Sequence, residues 1–279
     1  MRTKLLLLFL FSLVGFHYLL ADSTLGVGLS GQVSSQEEGP MEGVLVSAKA
    51  DGSNITVTVA SDQMGHFSFP YSRLPVGKYS LRIRAVGYEL DGPVEAEVNR
   101  FRATMADLKL RKAKDLSSQL TNAEWMLSMP GTDDPKSSLL NCIQCHTLQL
   151  IVRSQHDPDE FLQVLERMGT YANQAFPLHP QKRLADRLLE ARGEQRQRNR
   201  QEQAKYLSTL NLSSGSPWPY VLKTLPRPKG RGTRMIITEY DLPRRTIEPH
   251  DAIVDSEGMV WYSNFGEQSL ASWIRRLAR

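Results

Sequence analysis

Cysteine is scarce in this chain, with two among 279 residues, which excludes the disulfide framework that holds small secreted scaffolds together. Beyond the N-terminal segment no apolar run reaches the roughly 20 residues needed to cross a bilayer. Together with a mean hydropathy of −0.36, that excludes a polytopic membrane protein. Charge of one sign is also in short supply: the formal net charge is +4, and Arg2 and Lys4 supply two units of it. The surplus is too mild to argue for nucleic acid. At 41% hydrophobic and 23% charged residues, the chain has neither the polarity nor the charge excess of a disordered polymer. Its length suits about two domains.

Residues 1–21, MRTKLLLLFLFSLVGFHYLLA, place Arg2 and Lys4 ahead of an almost purely apolar stretch from Leu5 to Val14 and end on the small Ala21. This is the layout of a secretory signal peptide, although Leu19 is a poor fit three residues before cleavage. Gly15 and His17 interrupt the apolar run and favour cleavage over a retained single-span anchor. The expected location is periplasmic or secreted, with a membrane as partner only if the signal is uncleaved. No cysteine lies near Ala21 to carry a lipid.

Residues 29–112 alternate apolar and polar positions, as in Ile55-Thr56-Val57-Thr58-Val59, His66-Phe67-Ser68-Phe69 and Tyr79-Ser80-Leu81-Arg82-Ile83. Turn residues recur at Gly39-Pro40, Asp51-Gly52, Gly65, Pro75-Gly77, Gly87 and Asp91-Gly92-Pro93, so the spacing predicts an all-β sandwich. Gly65 falls where a hairpin needs a positive φ, and Phe67 and Phe69 then point together into the core. The wording Ser30-Gly31-Gln32-Val33, Gly43-Val44-Leu45-Val46, Ser61-Asp62-Gln63-Met64-Gly65-His66-Phe67 and Leu74-Pro75-Val76-Gly77-Lys78-Tyr79 resembles the carboxypeptidase regulatory-like domain. That resemblance implies a transthyretin-like sandwich, often grouped with carbohydrate-binding-like folds, that serves as a scaffold or attaches to a partner. Sugar binding would want exposed aromatics, for which Tyr71 and Tyr88 are the candidates, though core packing accounts for them equally.

From Asp115 the periodicity changes. Ala123 to Leu127, Asp157 to Met168 and Gln181 to Leu210 read as helices, broken at Pro130-Gly131. The stretch Arg192 to Arg200 is polar all round, the mark of a solvated helix and not of nucleic-acid contact. Residues 213–234 read as a linker, small and polar at first and then basic and rich in Pro and Gly. Strand character returns over 235–268 and fades in the tail 269–279.

Both cysteines fall in one motif, Cys142-Ile143-Gln144-Cys145-His146. C-x-x-C-H is the pattern for covalent attachment of haem c: two thiols three residues apart bond two vinyl groups, and the next histidine ligates the iron. Two other chemistries use C-x-x-C. A redox dithiol would open a helix after a β-strand, a setting missing around Ser138 to Asn141. A zinc site would need two further ligands from scattered histidines. Export agrees with haem, which is attached covalently outside the cytoplasm.

Around this motif, residues 115–212 resemble a class I cytochrome c. The resemblance implies an all-α haem domain, with a helix at Trp125-Met126-Leu127 ahead of the motif and a last helix over Ala204 to Asn211 packing across it. Such domains usually take a downstream methionine as the second axial ligand. Met168 is the only methionine between His146 and Met235 and ranks first, although it lies close to the motif and a core methionine would explain it as well. His179 and then His156 follow; two imidazoles would lower the potential relative to His/Met.

The segments Ile237 to Pro243 and Pro249 to Gly266 resemble one blade of a β-propeller of the streptogramin lyase-like family. One blade leaves its edges uncovered, so the expectation is an incomplete propeller start on a shortened chain, with His250 at a position that a single blade cannot turn into a lyase site. The architecture expected is multidomain: a signal over 1–21, an all-β transthyretin-like sandwich over 29–112, an all-α cytochrome c-like domain over 115–212, a linker over 213–234, a partial blade over 235–268 and an off-pattern tail over 269–279. The expected function is electron transfer through haem c iron to redox protein partners, with no catalytic residues and the sandwich available to a partner or a carbohydrate. The alternatives are the truncated form of a haem-containing propeller enzyme (a lyase or dehydrogenase) and a carbohydrate-binding module.

Overall fold

The computed structural model describes residues 26–172, 180–182, 193–210, 220–267 and 269–274. Residues 1–21, where a signal peptide is expected, and His179 lie outside them. The chain divides into two compact units.

The first unit is the sandwich, built from residues 26–114 together with Arg227–Asp241. Its strands are β1 (Val27–Ser35), β2 (Gly39–Pro40), β3 (Leu45–Ala50), β4 (Ile55–Ala60), β5 (His66–Pro70), β6 (Gly77–Arg84), β7 (Tyr88–Gly92), β8 (Glu95–Val98), β9 (Thr104–Met105), β10 (Leu108–Lys112) and, far along the chain, β11 (Ile236–Tyr240). One sheet runs β2-β1-β10-β7, with β5 and β9 also on β1; the other runs β11-β4-β3-β6-β8. Alternation puts Leu29, Val33, Val46, Ala48, Phe67, Phe69, Tyr79, Leu81, Leu108 and Leu110 into one apolar core, as the two-residue period requires. Phe67 and Phe69 meet edge to face at 6.0 Å. Gly65 has φ of +76°, and its carbonyl accepts from Val33 N–H at 2.8 Å. The positive-φ turn expected there is present, but it is not a hairpin, since β4 pairs with β3 and β11 while β5 crosses to the other sheet and pairs with β1.

Strand β11 differs from expectation. It was read as the start of the blade over 235–268, yet Ile236 to Tyr240 pairs antiparallel with Val59 to Ile55 and belongs to the sandwich. A run of alternating residues announces a strand but not its partner, and β4 offered an open edge. Nor is the end of the linker loose, since Arg227 and Gly230 bond to Glu38 and Glu42.

The second unit spans Asp115–Pro226 and Leu242–Arg276. It holds helices α1 (Asn122–Ser128), α2 (Asp133–Ser137), α3 (Leu139–Cys142), α4 (Gln149–Val152), α5 (Pro158–Met168) and α6 (Glu194–Ser208). It also holds a three-stranded antiparallel sheet of β12 (Pro249–Val254), β13 (Met259–Asn264) and β14 (Ser269–Ile274). The unit is thus not all-α. The tail expected to fall off the pattern from Ser269 instead supplies β14 as far as Ile274. Of the helix expected over Gln181 to Leu210, Glu194–Ser208 is helical, and residues 183–192 lie outside the described part.

Capping boxes start α1 at Thr121/Glu124 and α5 at Asp157/Glu160, each satisfying amide donors that the first helical turn leaves open. Trp125, Leu139, Leu148, Val152, Phe161, Ala204, Leu207 and Leu210 are buried. The hydroxyl of Tyr206 on α6 donates to the Pro130 carbonyl at 3.0 Å, tying the last helix to the turn after α1. Among the described residues no helix is long and apolar enough to cross a membrane.

Candidate functional site

The C-x-x-C-H segment begins as α3 ends. Ile143 N–H bonds the Leu139 carbonyl at 3.2 Å, and the amides of Cys145 and His146 both reach back to the Cys142 carbonyl at 3.4 Å. The backbone therefore makes one more helical turn through the motif. Downstream, Leu148 N–H donates to the Asn122 side chain at 2.9 Å, so the first residue of α1 anchors the exit from the motif.

The two cysteines are half-buried free thiols. Burial pushes the Cys142 thiol above its ordinary range, and the neighbouring Cys145 adds to the rise. Cys142 closes a four-residue helix instead of opening one after a strand, so it lacks the helix N-terminus that turns a C-x-x-C thiol into a reactive thiolate. The dithiol alternative loses its physical basis.

The ring of His146 is fixed from one side. Its Nδ1 lies 3.0 Å from the Thr147 carbonyl oxygen. A carbonyl can only accept, so Nδ1 carries the proton, and the neutral form of the ring has its lone pair on Nε2. Proteins orient metal-binding imidazoles by such a hydrogen bond to the ring nitrogen that faces away from the metal.

Cys142, Cys145 and His146 line one cavity of about 630 Å³, whose walls include Leu150, Ile151, Phe161, Val164 and Leu207. Its volume lies within the ~300–1,000 Å³ usual for cofactor sites. Met168 and His156 line the same cavity, so the structure brings together the motif and two of the three candidate second ligands. Met168 is 38% exposed, which removes the core-methionine explanation. His156 packs edge to face on Phe161 at 5.3 Å, with its Nδ1 3.6 Å from the Glu160 carboxylate. The donor set of two thiols, one imidazole with its lone pair on Nε2 and one thioether on an apolar cavity fits haem c.

Sequence reasoning missed the cationic part of this lining. Arg167 on α5 and Arg196 on α6 reach the cavity, and among the described residues no Asp or Glu lines it. The alternation of α5 could have signalled Arg167 beside Met168; nothing in the sequence pairs it with Arg196. The aromatic candidates on the sandwich are spent on the fold. Tyr88 is buried, and the Tyr71 hydroxyl lies 2.5 Å from the Asn99 carbonyl and 3.1 Å from that of Arg102.

Residues 28–111 match the model of the carboxypeptidase regulatory-like domain, so β1 to β10 are a domain of that class. No curated protein matches the chain. A solved structure that aligns, the Bacillus anthracis TIE protein, shares 23% identity over 32% of this chain and 17% of its own, with a TM-score of 0.26. This chain thus spans less than a fifth of that one.

Proposed function

We propose that the chain is an exported c-type cytochrome that carries single electrons through one covalently held haem. The observation that supports this most is the shared cavity of Cys142, Cys145, His146 and Met168. The bound group supplies one-electron exchange at iron between its ferrous and ferric states. Cys142 and Cys145 hold it covalently, so a shallow and largely open site does not lose it. The Thr147 carbonyl keeps the His146 proton on Nδ1 and leaves Nε2 to bind the metal, while Met168 offers a neutral thioether. Leu150, Ile151, Phe161 and Leu165 give the cavity an apolar wall, and an apolar surround biases a redox site toward its less charged oxidation state. Arg167 and Arg196 add positive charge at its wall. Residues 1–21 export the chain, and the regulatory-like sandwich positions the redox segment on a redox protein partner. A glycan is the weaker choice, because Tyr71 and Tyr88 are engaged elsewhere.

A pyridine haemochrome spectrum tests the reading. The protein, matured in cells competent to attach haem c and extracted with acid–acetone, should keep c-type absorbance, and Cys142→Ala should lose or shift it. A colourless product from such cells overturns the proposal. The sheet β12-β13-β14 favours a second reading, a propeller-based enzyme coupled to the haem. Further blade repeats encoded after Gln268 would support it.

A further inference from the structure

Strand β11 reaches the sandwich from 124 residues beyond β10 (Lys112 to Ile236). We propose that the β4 edge is a peptide-binding groove whose resident occupant is the chain's own strap, Arg227–Asp241. The ligand class is an extended peptide with a cation at its N-terminal end and an anion at its C-terminal end. The proposal is independent of the haem reading.

Four features of the acceptor carry it. First, the ladder is regular: five consecutive strap residues pair with five of β4, from Ile236↔Val59 to Tyr240↔Ile55. Backbone pairing of this kind supplies affinity when a strand is added to a sheet edge. Second, charges match at both ends. Glu38 pairs with Arg227 at the strap's start and Lys49 with Asp241 at its finish. Between them the Glu42 carboxylate accepts from Gly230 N–H at 2.7 Å. Third, the acceptor is notched. Gly43 has φ of +74°, and a Cβ there would collide with the Pro228 carbonyl oxygen, so the strap runs where a side chain would otherwise stand. Fourth, the strap's far end is tied by Asp241 N–H to the Asn54 carbonyl at 2.7 Å.

Glu38 also marks where the chain leaves the sandwich. The Tyr88 hydroxyl hydrogen-bonds its carboxylate, and Lys112, the last residue of β10, lies 3.0 Å from that hydroxyl. Departure and return are fastened at one carboxylate, so residues 115–226 are carried as an insertion within a sandwich that only the strap completes. The strap side chains Ile236, Ile237 and Glu239 stay exposed. It is held by its backbone and its ends, and a strand of the same pattern can replace it.

The test uses the full chain and a fluorescent synthetic peptide of residues 227–241. Wild-type protein should not bind the peptide, because the groove is filled. Ile237→Pro combined with Thr238→Pro removes the ladder donor from whichever of the two adjacent residues faces β4. In that variant, amide exchange over 55–60 should rise at least ~10-fold, and the peptide should bind one to one and restore protection. Arg227→Glu with Asp241→Lys frees the strap without proline and should give the same result if the first variant misfolds. Adding Glu38→Arg and Lys49→Glu to that chain should re-seat the strap and exclude the peptide. Unchanged exchange in both freed variants, or equal binding of a scrambled peptide, overturns the proposal.

Discussion

In the sandwich, Leu29, Met41, Phe69 and Leu74 are fully buried on or between strands that pair along most of their length. In the helical unit, α2, α3 and α4 have only five, four and four residues, and beside its buried side chains lies a cavity of about 630 Å³ lined from α3, α4, α5 and α6. Helices shorter than about 12 residues are marginal alone and take their stability from what they pack against. The sandwich closes on its own side chains, whereas the helical unit, on the proposed function, would complete its packing around a haem. That contrast is open to attack at four points.

If the proposed haem is bound, the largest effect should come from withholding it. Without maturation, or as Cys142→Ala with Cys145→Ala, amide protection across residues 139–170 should fall at least ~100-fold while β1, β3 and β6 stay protected. Hydrogen exchange read by mass spectrometry separates the two. Equal protection of the helical segment with and without the group would erase the comparison. Next comes the sandwich itself: Phe69→Ala should cost ~3–5 kcal/mol, seen as a lower urea midpoint for the β-sheet signal, with the haem absorbance retained.

The same contrast explains how much could be read from sequence. The sandwich was legible because its alternation, its glycine turns and its family wording describe one object, and the matched residues 28–111 nearly coincide with the predicted 29–112. The C-x-x-C-H motif is plain as a pattern, because it rests on local spacing, and the haem chemistry read from it belongs to the proposed function. Partnership at long range was hidden. Nothing in Ile236 to Tyr240 says that it lies on β4 and not beside β12, and no pattern announces that Met168, His156 and Arg196 share a wall with the motif. The tail after Gln268 looked featureless since a short edge strand needs only backbone pairing, which Ser269 to Ile274 provides.

Two caps of the same design give a finer measure. Thr121 and Asp157 both cap helices with a glutamate three residues on, but Glu124 is buried and also accepts from Leu225 N–H at 2.9 Å, while Glu160 is exposed. Asp157→Ala should cost ~1 kcal/mol, and Thr121→Ala toward ~2 kcal/mol, because it also strips the hydroxyl's hydrogen bond from a buried carboxylate. Urea titration of the helical signal checks the order. Equal costs would mean that α1 is no better integrated than α5.

The smallest effect concerns the three-stranded sheet. The Arg244 guanidinium bonds both carboxylate oxygens of Glu267 at 2.8 and 2.6 Å, and Thr246 and Asn264 donate to the same group at 2.5 and 2.9 Å. These bonds, Arg244 foremost, hold the Glu267 carboxyl down at about 2 against an ordinary 4.5. A depressed carboxylate contributes its stabilisation in full above its unfolded pKa and loses it as pH falls through the folded one. The fastening of residues 244–248 to the turn after β13 should therefore hold above pH 4.5 and weaken from there down to about pH 2. Arg244→Gln should bring the Glu267 titration, followed by NMR of its side-chain carbonyl carbon, back toward 4.5 and leave the sandwich signals unmoved. A Glu267 midpoint that stays low in Arg244→Gln would assign the depression to Thr246 and Asn264 instead, and the turn would then be locked by neutral donors insensitive to salt.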